Sequence, residues 1–270
     1  MQLQYRKVLV FGATSGLGWA LASKFVETGT SVIVVGRRKE RLDDFAKQHG
    51  SASNATVDTA VLDITNLQAI PGFASDMIKK HPDLDCVFLN SGLQRKINWA
   101  EPESVDLETI ETEMLTNYTA FMHLTKAFLP LLQKQAPKET SIVYTTSGLA
   151  LVPIMYCPNY CASKAALHHM ILVMREQLRD AKSNVKIIEL FPPAVQTELH
   201  DHEFGDKGKQ IGMPLKEFTE EAFEGLCKSG KDNEQVPVQA VKQSMGFDGW
   251  EQERQKKMFQ MKEMMEKQSH

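Results

Sequence analysis

Lys7-Val8-Leu9-Val10-Phe11-Gly12-Ala13-Thr14-Ser15-Gly16-Leu17-Gly18 is the stretch on which the fold turns. An apolar run of strand length ends in a glycine turn, and residues 16–28 behind it carry a helical period. Glycines in such a turn let backbone approach a ligand, and the free N–H groups of the helix N-terminus favour a phosphate. The spacing is G-x-x-x-G-x-G, not the G-x-G-x-x-G of the general dinucleotide fingerprint. Taken alone, it would equally serve as a tight strand-to-helix turn without a ligand.

Working outward, the strand-helix unit repeats. Strands are expected at 31–36, 56–64, 85–90, 140–147 and 185–191, with helices at 38–49, 67–80, 107–135 and 159–181. The runs 32–35 and 185–191 come close to the continuous apolar pattern of strands buried on both faces. The order predicts an α/β fold: a single-domain Rossmann-like doubly wound parallel sheet of about seven strands, flanked by helices. This domain is expected over 1–248, with a C-terminal helical extension over 249–270. Residues 193–214 are polar and glycine-containing, too long for an ordinary connection, and belong to an expected substrate lid near 193–230. A helix over 215–227 and a short extended piece over 235–238 follow, the latter suited only to a sheet edge because of Pro237.

Composition narrows the function. In 270 residues, 42% hydrophobic and 24% charged with a net charge of -3, nothing forms a basic footprint for nucleic acid. No apolar run approaches the roughly 18 residues of a membrane span, and the N-terminal segment reads as a first strand and not as a signal peptide. Cys86, Cys157, Cys161 and Cys227 lack the density of a disulfide scaffold, and Gln268-Ser269-His270 matches no common retention address, so a cytoplasmic location is expected. Cys157 and Cys161 with His168 and His169 lack zinc-like spacing, and no metal is expected. His200 and His202 read as exposed loop histidines. Met258, Met261, Met264 and Met265 recur at helical spacing among charges of both signs, which fits packing or a contact within a homodimer or homotetramer and argues against a membrane face.

The second strand ends in Gly36-Arg37-Arg38, where an NAD-binding protein of this architecture usually places a carboxylate for the ribose hydroxyls. Guanidinium groups there favour a phosphate, which predicts NADP(H), with Arg37 the stronger candidate ligand and Arg38 closer to an ordinary solvated residue. Asp63 and Ile64 could hold adenine at the next strand end, and Asn90-Ser91-Gly92 closes the fourth strand in the same way.

Tyr160 and Lys164 are four residues apart, on one face of a helix. A free phenol has a pKa of roughly 10, and a nearby ammonium should lower it toward useful acid/base chemistry. Ser147 ends a strand, where its hydroxyl could donate to the same substrate oxygen.

The glycine turn (Gly12, Thr14, Ser15, Gly16, Leu17, Gly18), Asn90-Ser91-Gly92, Ser147, Tyr160-x-x-x-Lys164 and Pro192-Pro193-Ala194-Val195-Gln196-Thr197 together resemble the short-chain dehydrogenase/reductase family over roughly residues 7–197. The Pro-Pro-Ala-Val-x-Thr-Glu-Leu form resembles a microbial and fungal subgroup, whereas most of the family has Pro-Gly; Pro193 removes an N–H there. The resemblance implies that Asn117 holds a water linking Lys164 to solvent, that Pro193, Val195 and Thr197 lie near the nicotinamide, and that the pro-S hydride is used. The expected reaction is NADP(H)-dependent reduction of a carbonyl, or oxidation of the matching secondary alcohol. Leu149, Val152, Met155, Tyr156, Pro193, Leu199, Phe204 and Met213 are the candidate walls of a pocket for an apolar substrate of small to medium size. Two alternatives are a non-enzymatic NADP(H)-binding regulator and an NAD-dependent alcohol dehydrogenase.

Overall fold

The computed structural model describes residues 1–51, 54–230 and 233–268, so Ser269 and His270 of the expected C-terminal extension lie outside the described residues. Seven strands form one sheet: β1 (Lys7–Phe11), β2 (Ser31–Gly36), β3 (Val57–Val61), β4 (Cys86–Leu89), β5 (Thr140–Thr145), β6 (Val185–Phe191) and β7 (Gln235–Pro237). Their order is β3-β2-β1-β4-β5-β6-β7, and every pairing is parallel. The helices are α1 (Gly16–Glu27), α2 (Lys39–His49), α3 (Ile70–Lys80), α4 (Leu107–Met114), α5 (Ala120–Gln133), α6 (Pro158–Asp180), α7 (Asp201–Phe204), α8 (Leu215–Cys227), α9 (Gln239–Ser244) and α10 (Gln252–Gln268). Among the described residues no helix is long and apolar enough to cross a membrane.

The period of two along each strand sorts the core into two layers. Val8 and Val10 of β1 pack with Phe25 of α1 and Phe218 and Phe223 of α8. Leu9 and Phe11 point the other way, onto Phe121, Leu124 and Phe128 of α5. This is why residues 8–11 are apolar without interruption. Strand order reverses between β1 and β4, so the chain leaves these neighbours in opposite directions and opens a crevice at the C-terminal edge of the sheet.

Three local expectations change. The helix expected over 107–135 is two helices joined by a π-helical turn at Leu115–Thr119, with Asn117 buried at its centre. Asp106 starts α4 by accepting from the N–H groups of Glu108 and Thr109, and a π turn in mid-helix often marks a functional position. Residues 193–214 are an ordered body: 3-10 turns at Glu198–His200 and Gly205–Gln210 flank α7. It is drawn tight by Gly212, whose φ is +91° and where a Cβ would lie 2.1 Å from the Ala194 carbonyl oxygen. Strand β3 stops at Val61, three residues short of the expected end, which leaves Asp63 and Ile64 in the turn after it.

The C-terminal segment is fastened to the body by charge. His168 of α6 donates from both ring nitrogens, to Glu189 of β6 at 2.8 Å and to Glu251 at 3.0 Å, all three side chains fully buried. Burial disfavours the imidazolium, but the two carboxylates outweigh it and raise the His168 pKa to about 9. Because the folded pKa lies above the unfolded one, the stabilisation is complete below roughly pH 6.5 and is lost as pH rises through the folded value. Urea-unfolding midpoints of the wild type should therefore fall between neutral pH and about 9, whereas His168→Gln should start lower and flatten that fall.

Candidate active site

At the turn after β1, Gly12 and Gly16 have φ of +74° and +53°. A Cβ on Gly12 would lie 2.7 Å from the backbone of Ser91, and one on Gly18 would lie 2.3 Å from the Gly12 carbonyl oxygen and 2.6 Å from Asn90 Nδ2. No side chain fits at either position. Ser15 precedes α1 without bonding its side chain to the helix, so the first-turn N–H groups face the crevice uncapped by that hydroxyl. Leu17 packs against the core. Asn90 ties the two strand ends together, donating toward the Gly12 carbonyl at 3.4 Å and accepting from Thr145 Oγ1 at 3.0 Å. A cradle without Cβ atoms, closed by a helix N-terminus, fits a dinucleotide pyrophosphate.

The two arginines differ in their surroundings. Arg38 reaches the glycine turn, donating from Nη2 to Thr14 Oγ1 at 2.9 Å and to Ser15 Oγ at 2.7 Å, with Glu198 at 3.1 Å on its outer side. Arg37 is largely exposed and stands 3.7 Å from Asp63. Burial pushes the Asp63 pKa up, but hydrogen bonds from Thr65 and the Arg37 charge bring it below its usual value. Ile64 turns into the core between the sheet and α3. Val195 is also a core residue, paired by its backbone with Met213, so its side chain does not face the crevice. Thr197 does: its methyl group lies 3.4 Å from where a Cβ on Gly16 would stand.

Ser147, Tyr160 and Lys164 meet where β5 and β6 end. The Ser147 hydroxyl accepts from the Leu149 N–H at 3.1 Å and stands near enough to Tyr160 to favour its ionised form. Lys164 is 2% exposed; its Nζ donates to the Thr145 carbonyl at 2.9 Å and lies 5.6 Å from the centroid of the Tyr160 ring. Burial lowers the Lys164 pKa to about 8, against the fields of Glu113 and Glu189. The downward pull expected on Tyr160 is overridden, because burial raises its pKa well above that of a free phenol and only the nearby Ser147 hydroxyl opposes it. At neutral pH this tyrosine holds its proton.

Asn117 bridges three segments. Its Oδ1 accepts from the Leu93 N–H at 2.9 Å, and its Nδ2 donates to the Leu93 carbonyl at 2.8 Å and to Ser163 Oγ at 3.0 Å. One turn earlier Glu113, which the sequence reading passed over, repeats the arrangement: it accepts from the Arg95 N–H at 2.9 Å and from Asn159 Nδ2 at 2.6 Å. The four-residue interval between Glu113 and Asn117 was the available signal. His200, expected in solvent, is 5% exposed and bonded to Gln94. Of the expected pocket walls, Leu149 and Tyr156 adjoin Tyr160, with Phe204 edge-on to Tyr156, but Met155 is 96% exposed. Val152 and Met213 pack into the core clusters.

The constellation defines a class. The family model described as short chain dehydrogenase matches residues 6–208, and the chain belongs to this family of oxidoreductases acting on CH–OH and C=O groups. It is 35% identical over 241 residues to the uncharacterized oxidoreductase DltE of Bacillus subtilis, covering 87% of this chain and 91% of that one. It is 31% identical over 191 residues to a serine 3-dehydrogenase of Agrobacterium fabrum, covering 71% and 72% respectively. A short-chain dehydrogenase of Burkholderia cenocepacia solved in complex with NADP superposes with a TM-score of 0.73 at 25% identity, over 95% of this chain and 98% of that one.

Because the Gly12 carbonyl occupies the space beside Gly18, Gly18→Ala must shift the turn. Overpacking of this kind should cost about 1–3 kcal/mol, to be read from chemical unfolding.

Proposed function

We propose that this chain is an NADP(H)-dependent oxidoreductase that reduces a carbonyl of a small to medium substrate, with Tyr160 as the proton donor. The observation that carries the reading is the buried triad of Ser147, Tyr160 and Lys164, with the Lys164 ammonium 5.6 Å from the centre of the Tyr160 ring. A phenol held protonated in a dry site is an acid waiting for a developing alkoxide, which favours the reducing direction. Ser147 keeps its hydroxyl toward the same oxygen, and the Lys164 ammonium, pinned on Thr145, stabilises the phenolate left behind. Asn117 holds Ser163 on the inner face of α6, next to Lys164. Bound nicotinamide supplies the hydride.

Preference for the phosphorylated cofactor rests on Arg38, whose guanidinium spans Thr14 and Ser15 at the mouth of the cradle. Gly12, Gly16, Gly18, Asn90 and Ser91 would form the cradle, with Asp63, Gly92, Pro193 and Thr197 around it. The relatives include a serine 3-dehydrogenase, so small hydroxy acids belong beside ketones and aldehydes among the substrates to try. A homodimer or homotetramer in the cytoplasm completes the reading; it is supported by the exposed Phe259, Met261 and Met264 of α10 and by four cysteines all free.

NADPH oxidation followed over such a panel should find an active substrate, and Tyr160→Phe should lose on the order of 10²-fold or more of the rate. A Phe variant turning over at the wild-type rate would overturn the assignment. Fluorescence titration should show Arg38→Ala weakening NADPH binding by about tenfold or more, with NADH little changed. Arg37→Ala should have the smaller effect.

A further inference from the structure

Gln94 lies between two pinned backbone positions. The amide and carbonyl of Leu93 are both taken by Asn117, and the amide of Arg95 is taken by Glu113, itself fully buried. The same two side chains tie α6 at Ser163 and Asn159, on either side of Tyr160 in the chain. Held in this way, Gln94 is 3% exposed and its carboxamide meets the segment leading into α6. Its Nε2 donates to Cys157 Sγ at 3.4 Å, and Cys157 shares an apolar cluster with Tyr160. Its Oε1 accepts from Tyr156 Oη at 3.1 Å and from His200 Nδ1 at 3.1 Å.

His200 belongs to the body formed by residues 193–214. It is one of the few residues of that body carried fully inside, and Gly208 seats against its backbone, where a Cβ would lie 2.7 Å from the His200 carbonyl. Phe204, one turn later, sets its ring edge on Tyr156 at 5.7 Å. Beside this contact a pocket of about 390 Å³ remains between the two sides, lined by Arg95, Asn98, Asp106, Thr109, His202 and Glu203.

We propose that Gln94 is a positioning residue that latches the lid: its carboxamide oxygen receives His200 and Tyr156 together, while Glu113 and Asn117 aim it from behind. The latch joins three parts of the chain remote in sequence, and it sets the lid against the helix that bears the acid. It rests on reading residues 193–230 as the lid over the substrate site. Since Oε1 can only accept, His200 must present a protonated Nδ1, and an imidazole kept neutral by burial does so in one tautomer. An asparagine places its amide N–H near the same point.

Deuterium uptake of the full-length chain tests the latch without cofactor or substrate. Gln94→Met keeps the volume and removes the hydrogen bonds, and His200→Leu removes the partner. Each should speed amide exchange over 198–210 about tenfold, while His200→Asn stays near the wild type and the Gln94→Met/His200→Leu double variant exchanges no faster than the quicker single one. Exchange within α6 should be unchanged, which separates loss of the latch from loss of the fold. Lid exchange within about twofold of the wild type in both single variants, or a double variant equal to the product of the two, overturns the proposal. A chain with no NADPH turnover would instead count against the enzymatic reading and leave this result as it stands.

Discussion

Around the first turn the backbone is packed so closely that Ser91 fills the place of a Cβ on Gly12, and the Gly12 carbonyl and Asn90 fill that of a Cβ on Gly18. This crowding is what brings the end of β1, the start of α1 and the end of β4 into one small volume. It follows from the two-sided burial of β1: with Val8 and Val10 committed to one layer and Leu9 and Phe11 to the other, the strand cannot slide or rotate. The crevice at the sheet edge is therefore rigid where phosphate would sit. The more elaborated parts of the molecule, the body formed by residues 193–214 and the C-terminal segment, are built on the far side of β5 and β6.

Burial then sets the chemistry of the ionisable groups on α6. Tyr160, Lys164 and His168 are spaced along the inner side of that helix, and each leaves its ordinary titration range for a different reason. Desolvation keeps Tyr160 protonated and makes the Lys164 ammonium less favourable. At His168 the same desolvation loses to two carboxylates, and a cation is retained to hold the C-terminal segment. Phe191 links the regions: it packs on the His168 ring and on Phe247, in a cluster with Leu151 beyond the Ser147 turn. A single strand end thus supports both the Ser147 turn and the docking of the C-terminal segment.

The π turn solves a positional problem. Glu113 and Asn117 lie against the segment after β4, while α5 lies on the sheet with Phe121, Leu124 and Phe128. The extra residue in the turn lets α4 and α5 meet these demands separately, and the two side chains become parallel ties to residues 93–95 and to α6.

Much of this was legible from local pattern. The apolar run into the glycine turn, the alternation of strand and helix, and the four-residue interval from Tyr160 to Lys164 depend only on period and spacing, which each segment carries in itself. Other features have no local signature. Arg37 and Arg38 are neighbours of the same type, and which one reaches Thr14 depends on how α2 leaves the strand. Ile64 and Val195 are apolar residues that turn into the core, while Met155 stands in solvent. His200 is polar and lies in a glycine-containing stretch, yet it is buried because Gln94, 106 residues away in the chain, waits for it. The sequence by itself determined the elements and the residue types for the chemistry; the tertiary structure decided which of them face one another, because sheet register and packing, unlike period, join residues distant along the chain.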